Sequence, residues 1–149
     1  MAQTKIMPTT FLAAAVLAEA GLHFFLPLAR VVPYPWNLAG AAPLALGVWL
    51  NLAADRAFKN AQTTVRPFEE SAALVQSGVF RLSRNPMYLG FEAVLLGIAL
   101  LFGTASPWLV VAVFPFVIER VYIRVEERML EDRFGEEWLR YKARVRKWL

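Results

Sequence analysis

Four stretches of this chain carry almost no charge: Thr9–Ala29, Leu38–Ala54, Pro86–Gly103 and Pro107–Ile123. Each is 17 to 21 residues long, which as α-helix covers about 25–31 Å, the thickness of a hydrocarbon core. The chain as a whole is 58% hydrophobic, above the roughly 45–50% apolar share of soluble proteins. The sequence therefore predicts an all-α polytopic membrane protein with about four transmembrane helices, a cytoplasmic loop and a C-terminal amphipathic helix. Residues 1–149 read as a single integral-membrane domain. An N-terminal helical hairpin occupies 1–55, and a loop, a second hairpin and the C-terminal helices occupy 56–149.

If all four stretches cross, both termini and the loop from Asp55 to Asn85 share one side of the membrane, and two short connections lie on the other. Lys and Arg then divide 15 against 1, the exception being Arg30. Positive residues stay inside, so the long loop and both termini are expected in the cytoplasm. An alternative for the first stretch is a cleaved signal peptide, since Lys5 precedes an apolar run and Ala18-Glu19-Ala20 loosely fits a cleavage site. The chain has no cysteine, which excludes disulfides, thiolate metal sites and a cysteine nucleophile. No metal site is expected.

The third and fourth stretches open with Asn85-Pro86 and Ser106-Pro107, each a capping residue followed by proline at the first helical position. Proline holds its predecessor extended, so Asn85 is expected to cap the helix whether or not a ligand binds there. Pro115 removes a hydrogen bond to the carbonyl of Val111 and predicts a kink. Beyond it the chain reads as helix through VEERMLEDRF, a break at Gly135, and a second helix EEWLRYKARVRKWL. On that last helix Trp138, Tyr141, Val145 and Trp148 form a stripe among basic residues. Such a stripe suits either a helix lying in the membrane interface, attracted to anionic lipid, or a cap packed on the bundle.

The segments TTVRPFEESAALVQSGVFRLSRNPMYLG and RVEERMLEDRFGEEWLRYKARVRKWL carry a resemblance. Over roughly residues 58 to 149 the chain resembles the integral-membrane methyltransferases that include isoprenylcysteine carboxyl methyltransferase and the phospholipid methyltransferases, especially their short bacterial members. In that family an Arg-His-Pro-x-Tyr-x-Gly segment and a later glutamate pair form the S-adenosylmethionine site. Here they stand as Arg84-Asn85-Pro86-Met87-Tyr88-Leu89-Gly90 and Glu126-Glu127. Asn85 replaces the histidine of the best-known members, which removes an acid-base role there and leaves hydrogen bonding. The resemblance implies a membrane methyltransferase that passes a methyl group from S-adenosylmethionine to a lipophilic or amphipathic acceptor, in the inner membrane of a prokaryote.

The residue chemistry agrees with that cofactor. Unpaired amides at a helix start, with Arg84 beside them, suit its carboxylate, and Glu126 and Glu127 suit its cationic groups. Tyr88 is placed to pack on it or to present its hydroxyl. Gly78 and Gly90 would allow close backbone approach, and Leu74 and Val75 would flank adenine. Ordinary surface pairing, Arg124 to Glu127 and Glu127 to Arg128, is the competing account of the glutamates. Glu119, Tyr122 and Glu126 share one helical face, which makes Glu119 a further pocket residue.

Glu19 and His23 lie one turn apart inside the first stretch, where a charge costs about 2.5–3.5 kcal/mol to insert. They read either as a mutually satisfied pair or as groups for substrate binding or proton removal, and Glu92 is equally open. Glu19 and His23, with Arg84, are the candidate catalytic residues. The expected partners are the lipid bilayer and a lipophilic or prenylated acceptor, with no nucleic acid, and no pattern sets an oligomeric state. Two other classes compete: a small four-helix transporter using Glu19, against which the one-sided charge argues, and a non-catalytic scaffold that works through its basic tail.

Overall fold

The computed structural model describes residues 6–63 and 72–149, so that Lys5 and loop residues 64–71 fall outside the described residues. Helix α1 runs over Pro8–Phe25, a 3₁₀ turn over Trp36–Gly40 leads into α2 at Ala41–Asn60, and a second 3₁₀ turn covers Gly78–Arg81. Helices α3 (Pro86–Phe102) and α4 (Trp108–Ile118) follow. A π-helical turn at Glu119–Ile123 then joins α4 to α5 (Arg124–Phe134), with α6 at Glu136–Arg144. Among the described residues there is no strand, only an isolated bridge between Arg30 and Thr104.

Pro8–Phe25 and the continuous helix Trp36–Asn60 are long and apolar enough to cross a membrane, and Pro86–Phe102 is a shorter apolar helix. Their outward faces are apolar: Phe25 is 89% exposed and Phe116 74%. A charged side chain, Glu19, is instead fully buried. Large exposed apolar belts are rare on soluble monomers; this arrangement suits a surround of lipid, with the polar group turned inward.

The tightest contact joins α2 to α3. Gly40 meets Gly97, and seven residues away Gly47 meets Gly90, so the two backbones touch where a side chain would separate them. A Cβ on Gly97 would lie 2.7 Å from the Gly40 carbonyl oxygen, and one on Gly90 would lie 2.8 Å from that of Gly47. Small residues at such positions let membrane helices approach closely. One face of α3 thus packs on α2, and Met87 and Leu89 lean on a cluster of Leu50, Ala54, Val75, Val79 and Phe80. The opposite face contributes Tyr88, Phe91 and Leu95 to a second cluster with Ala15, Phe114, Ile118 and Tyr122.

Several sequence expectations change here. α1 ends at Phe25, four residues before Ala29. Neither expected N-cap is made. The Asn85 side chain donates to the Lys147 carbonyl at 3.0 Å instead of capping α3, and the Ser106 hydroxyl donates to the Leu22 carbonyl at 3.1 Å. In both places a distant backbone oxygen takes the polar group that the local helix start would have used. Pro115 lies inside α4, and a π turn begins four residues after it.

The break at Gly135 holds, at φ +47°. The last helix stops at Arg144 and Val145 is extended. Trp138 and Tyr141 are buried, Tyr141 donating to the Phe80 carbonyl at 2.7 Å, and Trp148 packs against the second cluster. The aromatic stripe is therefore packed on the bundle.

Gly97→Leu is expected to force α2 and α3 apart and lower stability by about 1–3 kcal/mol, the usual cost of overpacking. Gly21→Ala, where nothing lies within 4 Å of an added Cβ, is expected to leave it unchanged. Thermal unfolding of the two variants in detergent checks this.

Candidate active site

The two ends of the bundle differ. At one, the end of α1 is tied to the α3–α4 connection: His23 Nδ1 lies 2.9 Å from Thr104 Oγ1, and the Ala105 amide donates to the Ala29 carbonyl. Arg30 sits there. At the other end meet the start of α3, the π turn, α5 and the last residues of the chain, and there Arg84, Tyr88, Glu119, Glu126 and Glu127 converge.

Two direct contacts join the start of α3 to α5. Tyr88 donates its hydroxyl to Glu126 Oε1 at 2.7 Å, and Arg84 Nη2 lies 2.9 Å from Glu127 Oε1. Both members of the ion pair are nearly buried, at 8% and 14% side-chain exposure. Of the competing surface pairs, Arg124 to Glu127 is not made: Arg124 instead approaches Glu119 at 3.8 Å. A buried pair broken by removing one partner typically costs 3–5 kcal/mol, so the contact is a structural tie as well as a candidate binding feature. The approach is ionic and out of line with an N–H bond, and both Arg84 Nε and Glu127 Oε1 lack a directed hydrogen-bond partner.

The guanidinium of Arg84 also lies 5.7 Å over the Trp138 ring and donates to the Lys142 carbonyl at 3.0 Å. Its amide donates to the Arg146 carbonyl at 2.9 Å. Ser83 and Asn85 both donate to the Lys147 carbonyl, and Lys147 Nζ reaches Glu119 Oε1 at 3.0 Å. The last residues of the chain thus lie across the mouth of α3, a strap with no motif to announce it. Glu119 is committed to that strap.

Burial pushes the Glu126 carboxyl up to about 7, only partly opposed by the bond from Tyr88. Burial also raises the Tyr141 hydroxyl, to about 12, against the opposing charge of Arg84, which keeps it protonated as a donor. The donor set fits S-adenosylmethionine. Arg84 Nε is a buried donor without an acceptor, suited to a carboxylate, and the acidic pair with Tyr88 and Tyr122 suits cations.

The remaining sequence candidates are placed as follows. Pro86 is the first residue of α3 and fully buried. Gly90 packs on α2, and Val75 lies in the α2-side cluster with Leu74 beside it in sequence. Gly78 needs its left-handed φ of +58° and has open space where a Cβ would stand. The satisfied Glu19–His23 pair does not form. His23 bonds Thr104 and stacks on Phe102 at 4.3 Å, while neither Glu19 oxygen has a hydrogen-bond partner. A separate apolar hollow of about 420 Å³ opens between α1 and α4, lined by Phe11, Ala14, Ala18, Val113, Phe114 and Val117. Its Phe11 wall touches Tyr122 edge-on at 5.5 Å, and Tyr122 lies 6.1 Å from Tyr88.

A profile of the phospholipid methyltransferase family matches residues 36–137. An uncharacterized protein of Haemophilus influenzae is 44% identical over 63 residues, which cover 42% of this chain and 100% of that protein. The protein-S-isoprenylcysteine O-methyltransferase of Saccharomyces cerevisiae is 39% identical over 80 residues, 52% of this chain and 32% of the yeast protein. The chain therefore spans about a third of the yeast enzyme it matches.

A proton held by Glu126 stabilises the fold, because the folded-state value near 7 lies above the ordinary 4.5. That contribution is full below 4.5 and is lost as pH rises to 7. A cation needs the ionised form, so S-adenosylmethionine affinity is expected to climb from pH 5.5 to 7 by at most about tenfold per unit. Calorimetry is expected to find a flat profile over that range in Glu126→Gln.

Proposed function

The chain belongs to the phospholipid methyltransferase family, and from that premise we propose that it is a membrane-embedded, S-adenosylmethionine-dependent methyltransferase acting on a lipophilic or amphipathic acceptor. One observation carries this reading. The Arg84–Gly90 motif and the Glu126-Glu127 pair, 36 residues apart between Gly90 and Glu126, are joined by one hydrogen bond and one ion pair at one end of the bundle.

Arg84 and the first amides of α3 would hold the cofactor carboxylate, and Glu126 and Glu127 its cationic groups. The cofactor would supply an activated methyl group. Tyr88 and Tyr122 would line the cationic centre, and burial around Glu126 keeps water from it, which strengthens alignment and electrostatics in the site. No covalent intermediate on the protein is needed.

The membrane setting follows from the same chemistry. With four crossings the cofactor end faces the cytoplasm, and the exception in the charge count, Arg30, lies at the far end. The hollow between α1 and α4, whose Phe11 wall packs against Tyr122 beside Tyr88, would admit the acceptor sideways from lipid. Arg84 also has a catalytic part in this reading, orienting cofactor and acceptor together.

Wild-type protein is expected to bind S-adenosylmethionine in calorimetry, and Glu126→Gln with Glu127→Gln to weaken it at least about 100-fold, as for two charge-assisted contacts of roughly 1.5–3 kcal/mol each. Labelled methyl from the cofactor is expected in the lipid extract of wild type and not of the double variant. Equal binding by both proteins would contradict the assignment.

A further inference from the structure

The start of α3 is covered by a segment that belongs to no helix. α6 ends at Arg144 and Val145 is extended, and the residues beyond it cross the mouth of α3. Two of their carbonyl oxygens take three donors there. Arg146 accepts from the Arg84 amide at 2.9 Å, and Lys147 accepts from the Ser83 hydroxyl and from the Asn85 side chain, each at 3.0 Å. Ser83 is fully buried, so its hydroxyl needs another acceptor if that oxygen leaves. Beside them the Arg84 side chain is 8% exposed, with Nε buried and lacking an acceptor.

Two negatively polarised oxygens set on buried N–H and O–H donors are what a carboxylate would also present. A ligand carboxylate drawn to Arg84 therefore competes with the strap for the same donors, and oxygens of like sign repel. The base of the strap is fixed, whereas the strap itself is lightly held. Trp138 and Tyr141 anchor α6 by burial, Tyr141 donating to the Phe80 carbonyl. Past Val145 the holds are the two carbonyls, the packing of Trp148 on the cluster of Tyr88 and Tyr122, and the approach of Lys147 Nζ to Glu119 Oε1 at 3.0 Å. The side chains of that ion pair are 30% and 27% exposed, so water and salt weaken it. Segments with few buried contacts open at low cost.

We propose that residues 146–148 are a displaceable lid: their two carbonyls hold the donors that the cofactor carboxylate takes on entry, and the Lys147–Glu119 pair is the latch. This rests on the methyltransferase reading and adds Ser83 to the residues that meet the ligand. Val145 is the hinge. On entry the Ser83 hydroxyl, the Asn85 side chain and the Arg84 amide pass from strap to carboxylate, so these donors are paired in both positions. The apparent affinity is then the intrinsic affinity reduced by the fraction of open lid.

The test uses the full chain in phosphatidylcholine nanodiscs, with Lys147→Ala and Glu119→Gln each releasing the latch. Arg124, 3.8 Å from Glu119, remains to pair with it in the first variant. Calorimetry is expected to show S-adenosylmethionine bound about threefold more tightly by each variant than by wild type, the open fraction having risen by that factor. Hydrogen exchange at the Arg84 amide, measured without ligand, is expected to quicken by about the same factor. Because the chain has no cysteine, Lys147→Cys with Glu119→Cys can be joined by a short, reducible thiol cross-linker. The joined form is expected to bind at least about tenfold more weakly and to recover on reduction. Affinity unchanged or weakened in both latch variants, or unimpaired binding by the joined form, overturns the lid. Exchange that neither variant quickens overturns it whether or not the cofactor binds. No binding by any form, with exchange still faster in both latch variants, contradicts only the methyltransferase reading.

Discussion

The start of α3 is held to α5 by a phenol on a carboxylate and a guanidinium on a carboxylate, and the arrangement at this end of the bundle depends on those two contacts. The first satisfies a buried phenol, and the second sets two nearly buried charges against each other, where an unpaired charge would cost several kcal/mol. They also fix which way the chain turns after α4. The π turn at Glu119–Ile123 shifts the helical register just before Glu126, and that shift sets the face on which Glu126 and Glu127 meet Tyr88 and Arg84.

Stability and site share α3. Its glycine face seats it against α2, so its position is set by backbone contact and not by flexible side chains. Its other face carries Tyr88, Glu92, Phe91 and Leu95 toward α1 and α4. A helix rigidly placed on one side is a suitable platform for groups presented on the other. The strap formed by Arg146 and Lys147 ties off Ser83, Arg84 and Asn85. Access to the helix start therefore involves the end of the chain.

Much of this was legible in the sequence. Uncharged stretches gave the helices, because hydrophobic length is a strong signal, and the two linked motifs pointed to residues that the fold bonds together. Local rules failed where a distant partner outbid them. Asn85 and Ser106 have ideal capping chemistry, but carbonyls at Lys147 and Leu22 take their side chains. The strap has no periodicity to detect. Glu19 and His23 looked paired from their spacing, yet Thr104 and Phe102, more than 75 residues away in sequence, claim the imidazole. Gly90, read as a cofactor glycine, packs against Gly47 and Asn51 of α2, a contact that only the position of α2 reveals.

In the proposed reading one nucleotide lies between the start of α3 and the start of α5. A structure in lipid with S-adenosylhomocysteine tests it most directly. The ligand's carboxylate is expected beside Arg84 and its ammonium beside Glu126 or Glu127, with the Arg84–Glu127 contact opened or shared. Ligand found elsewhere in the bundle, with both contacts unchanged, would contradict it.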